Sequence, residues 1–330
     1  MLTLTKHPDN KEICVLIQKG KRTPVYWHPT INESLMNTVE DLSTFNTGYF
    51  RDRFELSKQQ SEDIFNGLKK DVVCEHHQQK YFKCKRHIND ALLTEMDISD
   101  TDGAFVVEYD KDNTQYTGHE LACSGTGSGK TYYFVQKAIH NLKGPKSSRR
   151  RFLIFSAEWN SDKTLAPLKH QRYSEYVEGI ECSEGAVKDS QWNSEEEFFE
   201  NEIKMRVEFA PPGSVILFDD AVDMVAPDRV RALINRQLRV ARHSAVTVQL
   251  ILHNLRSASW STQAHNSIRY LTTFPRSQKG KVVAYLNRDL GIPLGQARDH
   301  VRSFGQSGRH MSARHHAPEL LIGPKLIRLL

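Results

Sequence analysis

The chain has no apolar run approaching the roughly 18–20 residues that a membrane-spanning helix requires, and its first residues, Met1 to Pro8, hold no apolar signal segment. A soluble, intracellular protein without a membrane partner is expected. Cysteine is scarce as well. Cys14, Cys74, Cys84, Cys123 and Cys182 are odd in number and irregularly spaced, which argues against a disulfide framework and predicts reduced thiols. Cys74, His76, His77, Cys84 and His87 fall close together, but the nine-residue gap between the two cysteines matches no common zinc knuckle. That stretch reads as a polar surface loop, with a metal site held by Cys74, Cys84 and His87 as the alternative.

Acidic residues are nearly missing from the last third. From Asp228 to Leu330 there are 17 Lys+Arg against 4 Asp+Glu, a balance of +13, which leaves −8 for residues 1–227. Seven of the 15 histidines lie in the same third, so mild acid makes it more positive still. A field of that sign suits a polyanion such as nucleic acid, or an acidic partner subunit. With 330 residues and 38% hydrophobic content, disorder is not the default reading, and one large α/β domain or two smaller ones can form.

Against this background one segment carries chemistry. Ser124, Gly125, Thr126, Gly127, Ser128, Gly129, Lys130 and Thr131 form a glycine-rich turn ending in Gly-Lys-Thr. Such a turn lets backbone N–H groups converge on phosphate oxygens, while Lys130 reaches the β- and γ-phosphates of ATP and the Thr131 hydroxyl ligates Mg²⁺. Ser124 stands where the usual pattern has Gly or Ala. The apolar segment 121–123 before the turn and the helically spaced residues 131–140 after it supply the strand–loop–helix context that phosphate binding at a helix N-terminus needs.

Strand and helix signals alternate around this turn. Residues 1–115 read as an accessory region, with a hairpin from segments 12–18 and 23–27, an amphipathic helix over 56–70 capped by Ser57, and an apolar segment at 104–109 leading toward the phosphate loop. Residues 116–330 read as the ATPase domain. It holds a buried strand at 151–156, a helix opened by Ser194 with capping-box spacing, and a strand at 214–219 after Pro211-Pro212-Gly213. The alternation predicts an α/β fold with a mainly parallel sheet and the active site at the carboxyl ends of its strands.

Asp219 and Asp220 end the strand at 214–219 as adjacent carboxylates, one suited to the Mg²⁺ shell and the other to placing or deprotonating an attacking water, with Asp223 competing for either task. A helix from Pro227 toward Arg242 precedes the strand 246–252, which ends at His253 and Asn254. Either of these last two can act as a sensor of the γ-phosphate. Arg242, at the opposite strand end, points away from its own nucleotide and can either reach a neighbouring subunit's nucleotide as an arginine finger or make a surface ion pair.

The order of Gly-Thr-Gly-Ser-Gly-Lys-Thr, the strand ending at Ser156, the strand ending at Asp219 and Asp220, Ala241-Arg242-His243 ahead of a strand, and Phe274-Pro275-Arg276 resembles the genome-packaging ATPases of large double-stranded DNA viruses and virophages. These belong to the FtsK–HerA group of P-loop NTPases, and the resemblance covers roughly residues 115–325. It implies a RecA-like fold of the additional-strand type, a homo-oligomeric ring that hydrolyses ATP with Mg²⁺ to move duplex DNA, capsid vertex proteins as partners, and a site of action where virions assemble. It assigns Arg242 as the finger and the sensor to His253 or Asn254, where the family often has glutamine. Two other readings share the same chemistry: a particle-assembly or secretion ATPase moving single-stranded DNA or protein, and a nucleotide-dependent binding module that does not hydrolyse.

Overall fold

The computed structural model describes residues 2–3, 11–18, 21–27, 47–70, 74–84, 95–97, 103–105, 113–253, 266–315 and 319–330. Strands β1 (Leu2–Thr3), β2 (Lys11–Gln18) and β3 (Lys21–Trp27) pair antiparallel, and the expected hairpin is the β2–β3 pair. Helices α1 (Thr47–Phe54) and α2 (Lys58–Lys69) bury Phe50, Ile64 and Leu68 against Tyr81 and Cys84. Ser57 caps α2 as the sequence indicates. Its Oγ accepts the Gln60 N–H at 3.2 Å while Gln60 Oε1 accepts the Ser57 N–H at 3.1 Å, so two orphan donors are satisfied reciprocally.

The polar-loop reading of residues 74–87 is corrected. After a 3₁₀ turn at Glu75–His77, residues 78–84 are helical and bury Tyr81 and Cys84. Burial pushes the Cys84 thiol up to about 11. His87 lies outside the described residues. All five cysteines are free thiols, as expected.

β4 (Glu95–Asp97) joins the large sheet described next, whereas β5 (Gly103–Phe105) pairs with β2 to complete a four-stranded sheet of order β1-β3-β2-β5. The apolar segment read at 104–109 therefore begins in this small sheet, and residues 106–109 lie outside the described residues.

Six parallel strands form the centre of the molecule: β6 (His119–Cys123), β7 (Phe152–Ser156), β8 (Val177–Glu181), β9 (Val215–Asp219), β10 (Thr247–Leu252) and β11 (Ile268–Thr273), in the spatial order β11-β6-β10-β9-β7-β8. Beyond β11, the strands β12 (Met311–Arg314), β13 (Leu320–Ile322), β14 (Leu326–Leu329) and then β4 continue the sheet antiparallel to a total of ten. The α/β, mainly parallel architecture is the expected one. So is the additional strand: β10 stands between β6, which leads into the glycine-rich turn, and β9, which ends in the acidic pair.

Helices cover both faces, because alternate residues of these strands point opposite ways and most are apolar. Phe152, Ile154, Val215 and Leu217 face α3 (Lys130–Leu142), which buries Tyr133, Phe134, Ala138 and Leu142 at helical spacing. Leu153, Phe155, Ile216, Phe218, Val248 and Leu250 face the other layer. That layer holds a helix α4 over residues 195–208, α5 (Pro227–Val240), α6 (Lys279–Arg288) and α7 (Leu294–Ser307). Ser194 Oγ accepts the Glu197 N–H at 3.2 Å, but Glu197 reaches back to the N–H of Asn193, one residue short of a full capping box. Among the described residues no helix is long and apolar enough to cross a membrane.

Candidate functional site

The glycine-rich turn leaves β6 at its carboxyl end and enters α3 at Lys130, as phosphate binding requires. Positive φ values fall on Gly127 (73°) and Gly129 (101°), where a side chain would be strained. Ser124 is not among the residues of positive φ, which explains why a serine is tolerated where the pattern has Gly or Ala. It is fully buried, and its N–H donates to the Leu252 carbonyl of β10 at 3.1 Å, tying the start of the turn to the neighbouring strand. Lys130 is 4% exposed, and its ammonium donates to the carbonyls of Ser124 (3.0 Å) and Gly125 (3.1 Å). The lysine thus lies along the rim of the turn, where it can exchange those carbonyls for phosphate oxygens.

The acidic pair arrives from β9. Asp219 is buried, and its Oδ1 accepts the Thr131 hydroxyl at 3.2 Å, so the two residues expected to share a metal meet directly. Burial, and then the neighbouring Asp220 carboxylate, push Asp219 up to about 7. Asp220 takes a left-handed φ of 51°, rare for a residue other than glycine, which swings its side chain out of the strand's alternation and toward β10. Its pKa is raised by burial, opposed by His253 and Lys130. Asp162, from the segment after β7, adds negative charge to both aspartates.

His253 follows β10 and stands between the two motifs. Its Nε2 lies 2.9 Å from Asp220 Oδ1, and its Nδ1 lies 3.4 Å from Thr126 Oγ1 in the glycine-rich turn. Asp220, Asp223 and His253 bring ligand-type atoms within 4.8 Å of one another, the one such cluster found among the described residues. Asn254, the alternative sensor, lies outside the described residues.

Arg242 occupies a different place. The helix expected to run toward it ends at Val240, and Arg242 sits in a 3₁₀ turn, Ala241–Ser244, closed by Ala245 at a φ of 55°. This exposed turn feeds the amino end of β10, so the guanidinium lies at the sheet end opposite the glycine-rich turn. It lines a cleft of about 470 Å³ together with Tyr116, Arg239, Asn266 and Arg269.

Sequence reasoning missed the residues that reach the turn from β11. Gln278 Nε2 donates to the His253 carbonyl at 3.1 Å, and a methyl group on Gly125 would lie 3.4 Å from Ser277 Oγ. Phe274, from the Phe-Pro-Arg segment, lies beside Gly129. The only signal for this contact was that short motif, which carries no phosphate chemistry of its own.

No family model and no curated protein matches the chain. Among solved structures, it is similar to the genome packaging NTPase B204 from Sulfolobus turreted icosahedral virus 2 in complex with ATP-gammaS, at 13% identity over 66% of this chain and 99% of that one, with a TM-score of 0.37. It is also similar to the pCW3 conjugation coupling protein TcpA with ATPgS, at 12% identity over 70% of this chain and 66% of that one, TM-score 0.37. The cytoplasmic domain of the Thermomonospora curvata Type VII secretion ATPase EccC is similar at 13% identity over 63% of this chain and 25% of that one, TM-score 0.36.

Proposed function

We propose that this chain is an ATP-hydrolysing motor that translocates nucleic acid, of the kind that packages duplex DNA into viral capsids. One observation carries the reading: the glycine-rich turn, the Thr131–Asp219 contact and the Asp220–His253 pair converge at the carboxyl ends of β6, β9 and β10. Residues 116–330 would be the ATPase domain, and residues 1–115 an accessory region.

The oxygen donors of Thr131 and Asp219 suit Mg²⁺, a hard cation that keeps water and phosphate oxygens as its remaining ligands. When bound there it supplies charge neutralisation at the β- and γ-phosphate oxygens. Lys130 binds the same phosphates, and the N–H groups of Gly125 to Gly129 cradle them. Asp220 accepts a hydrogen bond from the attacking water and aligns it with the γ-phosphorus. His253, linked to both Asp220 and Thr126, sets the position of that carboxylate against the turn.

Arg242, at the far sheet end, would complete the site of a neighbouring subunit in a homo-oligomeric ring, where a guanidinium stabilises transition-state charge. The +13 balance of residues 228–330 supports a polyanion as the moved polymer. Capsid vertex proteins as docking partners, and virion assembly as the setting, follow from the packaging reading.

Steady-state ATPase turnover of the full chain, alone and with duplex DNA, single-stranded DNA or unfolded protein, tests the proposal. Duplex DNA should stimulate most, and Lys130→Ala should lose nearly all turnover and bind ATP weakly. Stimulation by protein or single strands alone would move the assignment to an assembly or secretion motor, and absent turnover in the presence of bound ATP would leave a binding module.

A further inference from the structure

Helices α6 and α7 pack against each other and leave between them an open cleft of about 610 Å³. Lys279, Arg288, Arg298 and Arg302 line it, Leu294 lies half-exposed on its wall, and no carboxylate is among its lining residues. Arg302 pairs with Asp299 at 3.5 Å on the exposed side. Lys279, Arg288 and Arg298 have no carboxylate partner among the described residues.

The spacing of these cations bears on what they can hold. Lys279 opens α6 and Arg288 closes it, which separates them by about 13 Å along the axis, while Arg298 and Arg302 stand one turn apart on α7, about 6 Å. A strip of that length outreaches a single phosphate group and suits an anion that repeats. The strip is also tied to the nucleotide site. Gln278, which donates to the His253 carbonyl, is the residue immediately before α6, and Arg276 Nε donates to the Gly305 carbonyl of α7 at 2.6 Å. Three consecutive residues, 276–278, thereby join the glycine-rich turn and both walls of the cleft.

We propose that the α6–α7 cleft binds the phosphate backbone of duplex DNA. This rests on the translocase reading and locates one contact of the polymer. Each cation that neutralises a phosphate releases condensed counterions, so the cleft reports itself as a slope in salt rather than as a sequence preference.

The test is fluorescence anisotropy of a labelled mixed-sequence duplex of about 30 base pairs, titrated with the full chain across a range of salt. Lys279→Ala/Arg298→Ala should reduce the slope of log affinity against log salt by about 1.8, since each lost phosphate contact removes about 0.9. Lys279→Arg/Arg298→Lys should keep the wild-type slope, and Lys146→Ala/Lys188→Ala, which alters exposed cations elsewhere, should also keep it. Thermal unfolding checks that the variants fold, and Arg288→Gln alone, expected to remove about 0.9 from the slope, serves if the double alanine variant does not. An unchanged slope in the alanine variant, beside salt-sensitive binding by wild type, overturns the cleft and leaves the translocase reading standing. No duplex binding by wild type overturns both. Competition by polyglutamate at lower concentration than duplex would assign the cleft to an acidic protein instead.

Discussion

Lys137→Met removes one member of a buried ion pair that holds together the two elements flanking the glycine-rich turn. Glu120 on β6 and Lys137 on α3 have side chains 1% and 6% exposed and are in direct contact. The Glu120 carboxylate also accepts from Tyr133 Oη at 3.0 Å, Thr272 Oγ1 at 3.1 Å and Gln249 Nε2 at 3.4 Å. Methionine keeps the length and flexibility of lysine, so little cavity opens and the loss is mainly electrostatic. The carboxylate is left buried with neutral donors alone, which costs about 3–5 kcal/mol. At roughly 2–4 °C per kcal/mol, the thermal midpoint should fall by about 6–20 °C. Glu120→Gln/Lys137→Met should recover most of the loss, because the uncompensated charge is then gone. Urea and thermal unfolding of the three proteins give the comparison. A single variant within about 1 kcal/mol of wild type would refute the reasoning and mean that the hydroxyl and amide donors suffice for the carboxylate.

Asp220→Asn should retain ATP binding while hydrolysis falls by about 10²–10⁴-fold, as for loss of a general base; normal turnover would transfer the role to Asp223. Arg242→Ala should assemble and bind ATP yet hydrolyse about 10³-fold more slowly, and mixing it with Lys130→Ala should restore part of the activity in mixed rings. No recovery despite proven co-assembly would make Arg242 structural. Acid should destabilise the fold through His119, whose Nδ1 accepts the Val248 N–H at 2.9 Å and whose pKa burial holds down near 4. Between about pH 6.5 and 4 the unfolded chain takes up a proton that the folded chain refuses, so stability is full above this window and falls as pH drops, by up to about 3 kcal/mol. His310, also held near 4, adds to the same trend. Urea unfolding at pH 7 and pH 5 should therefore show a smaller loss in His119→Gln than in wild type, and an equal loss would exclude His119 as a source.

What was legible in the sequence depended on how local the physical demand is. Gly127 and Gly129 take backbone angles that few other residues tolerate, so the turn announces itself, and Ser124 is admitted because its position makes no such demand. Four of the parallel strands, β6, β7, β9 and β10, were legible as short apolar runs ending in polar residues, whereas β8 and β11, with Glu178 and Glu181 in one and Arg269, Thr272 and Thr273 in the other, were not. The Asp220–His253 contact was within reach of the strand logic, since β9 and β10 are neighbours and end together. Residues acting across long loops were not. Gln278 and Asp162 influence the site only because β11 and the segment after β7 fold back on it, and nothing in their own neighbourhoods marks them. The helix at 78–84 was hidden by a polar exterior around just two buried side chains, Tyr81 and Cys84.

The position of β6 also governs when the glycine-rich turn can take its final shape. Glu120 contacts Gln249 of β10 and Thr272 of β11, which lie 129 and 152 positions further along the chain. During synthesis β6 and its turn emerge long before either neighbour, and strands that wait for distant partners fold slowly and expose unpaired edges meanwhile. The anchor of the turn, the Leu252 carbonyl that receives the Ser124 N–H, arrives with β10 as well. A nascent chain that has not yet reached Thr247 therefore carries the whole glycine-rich sequence but not the strand that holds it, and the turn takes its fixed shape late in the maturation of this protein.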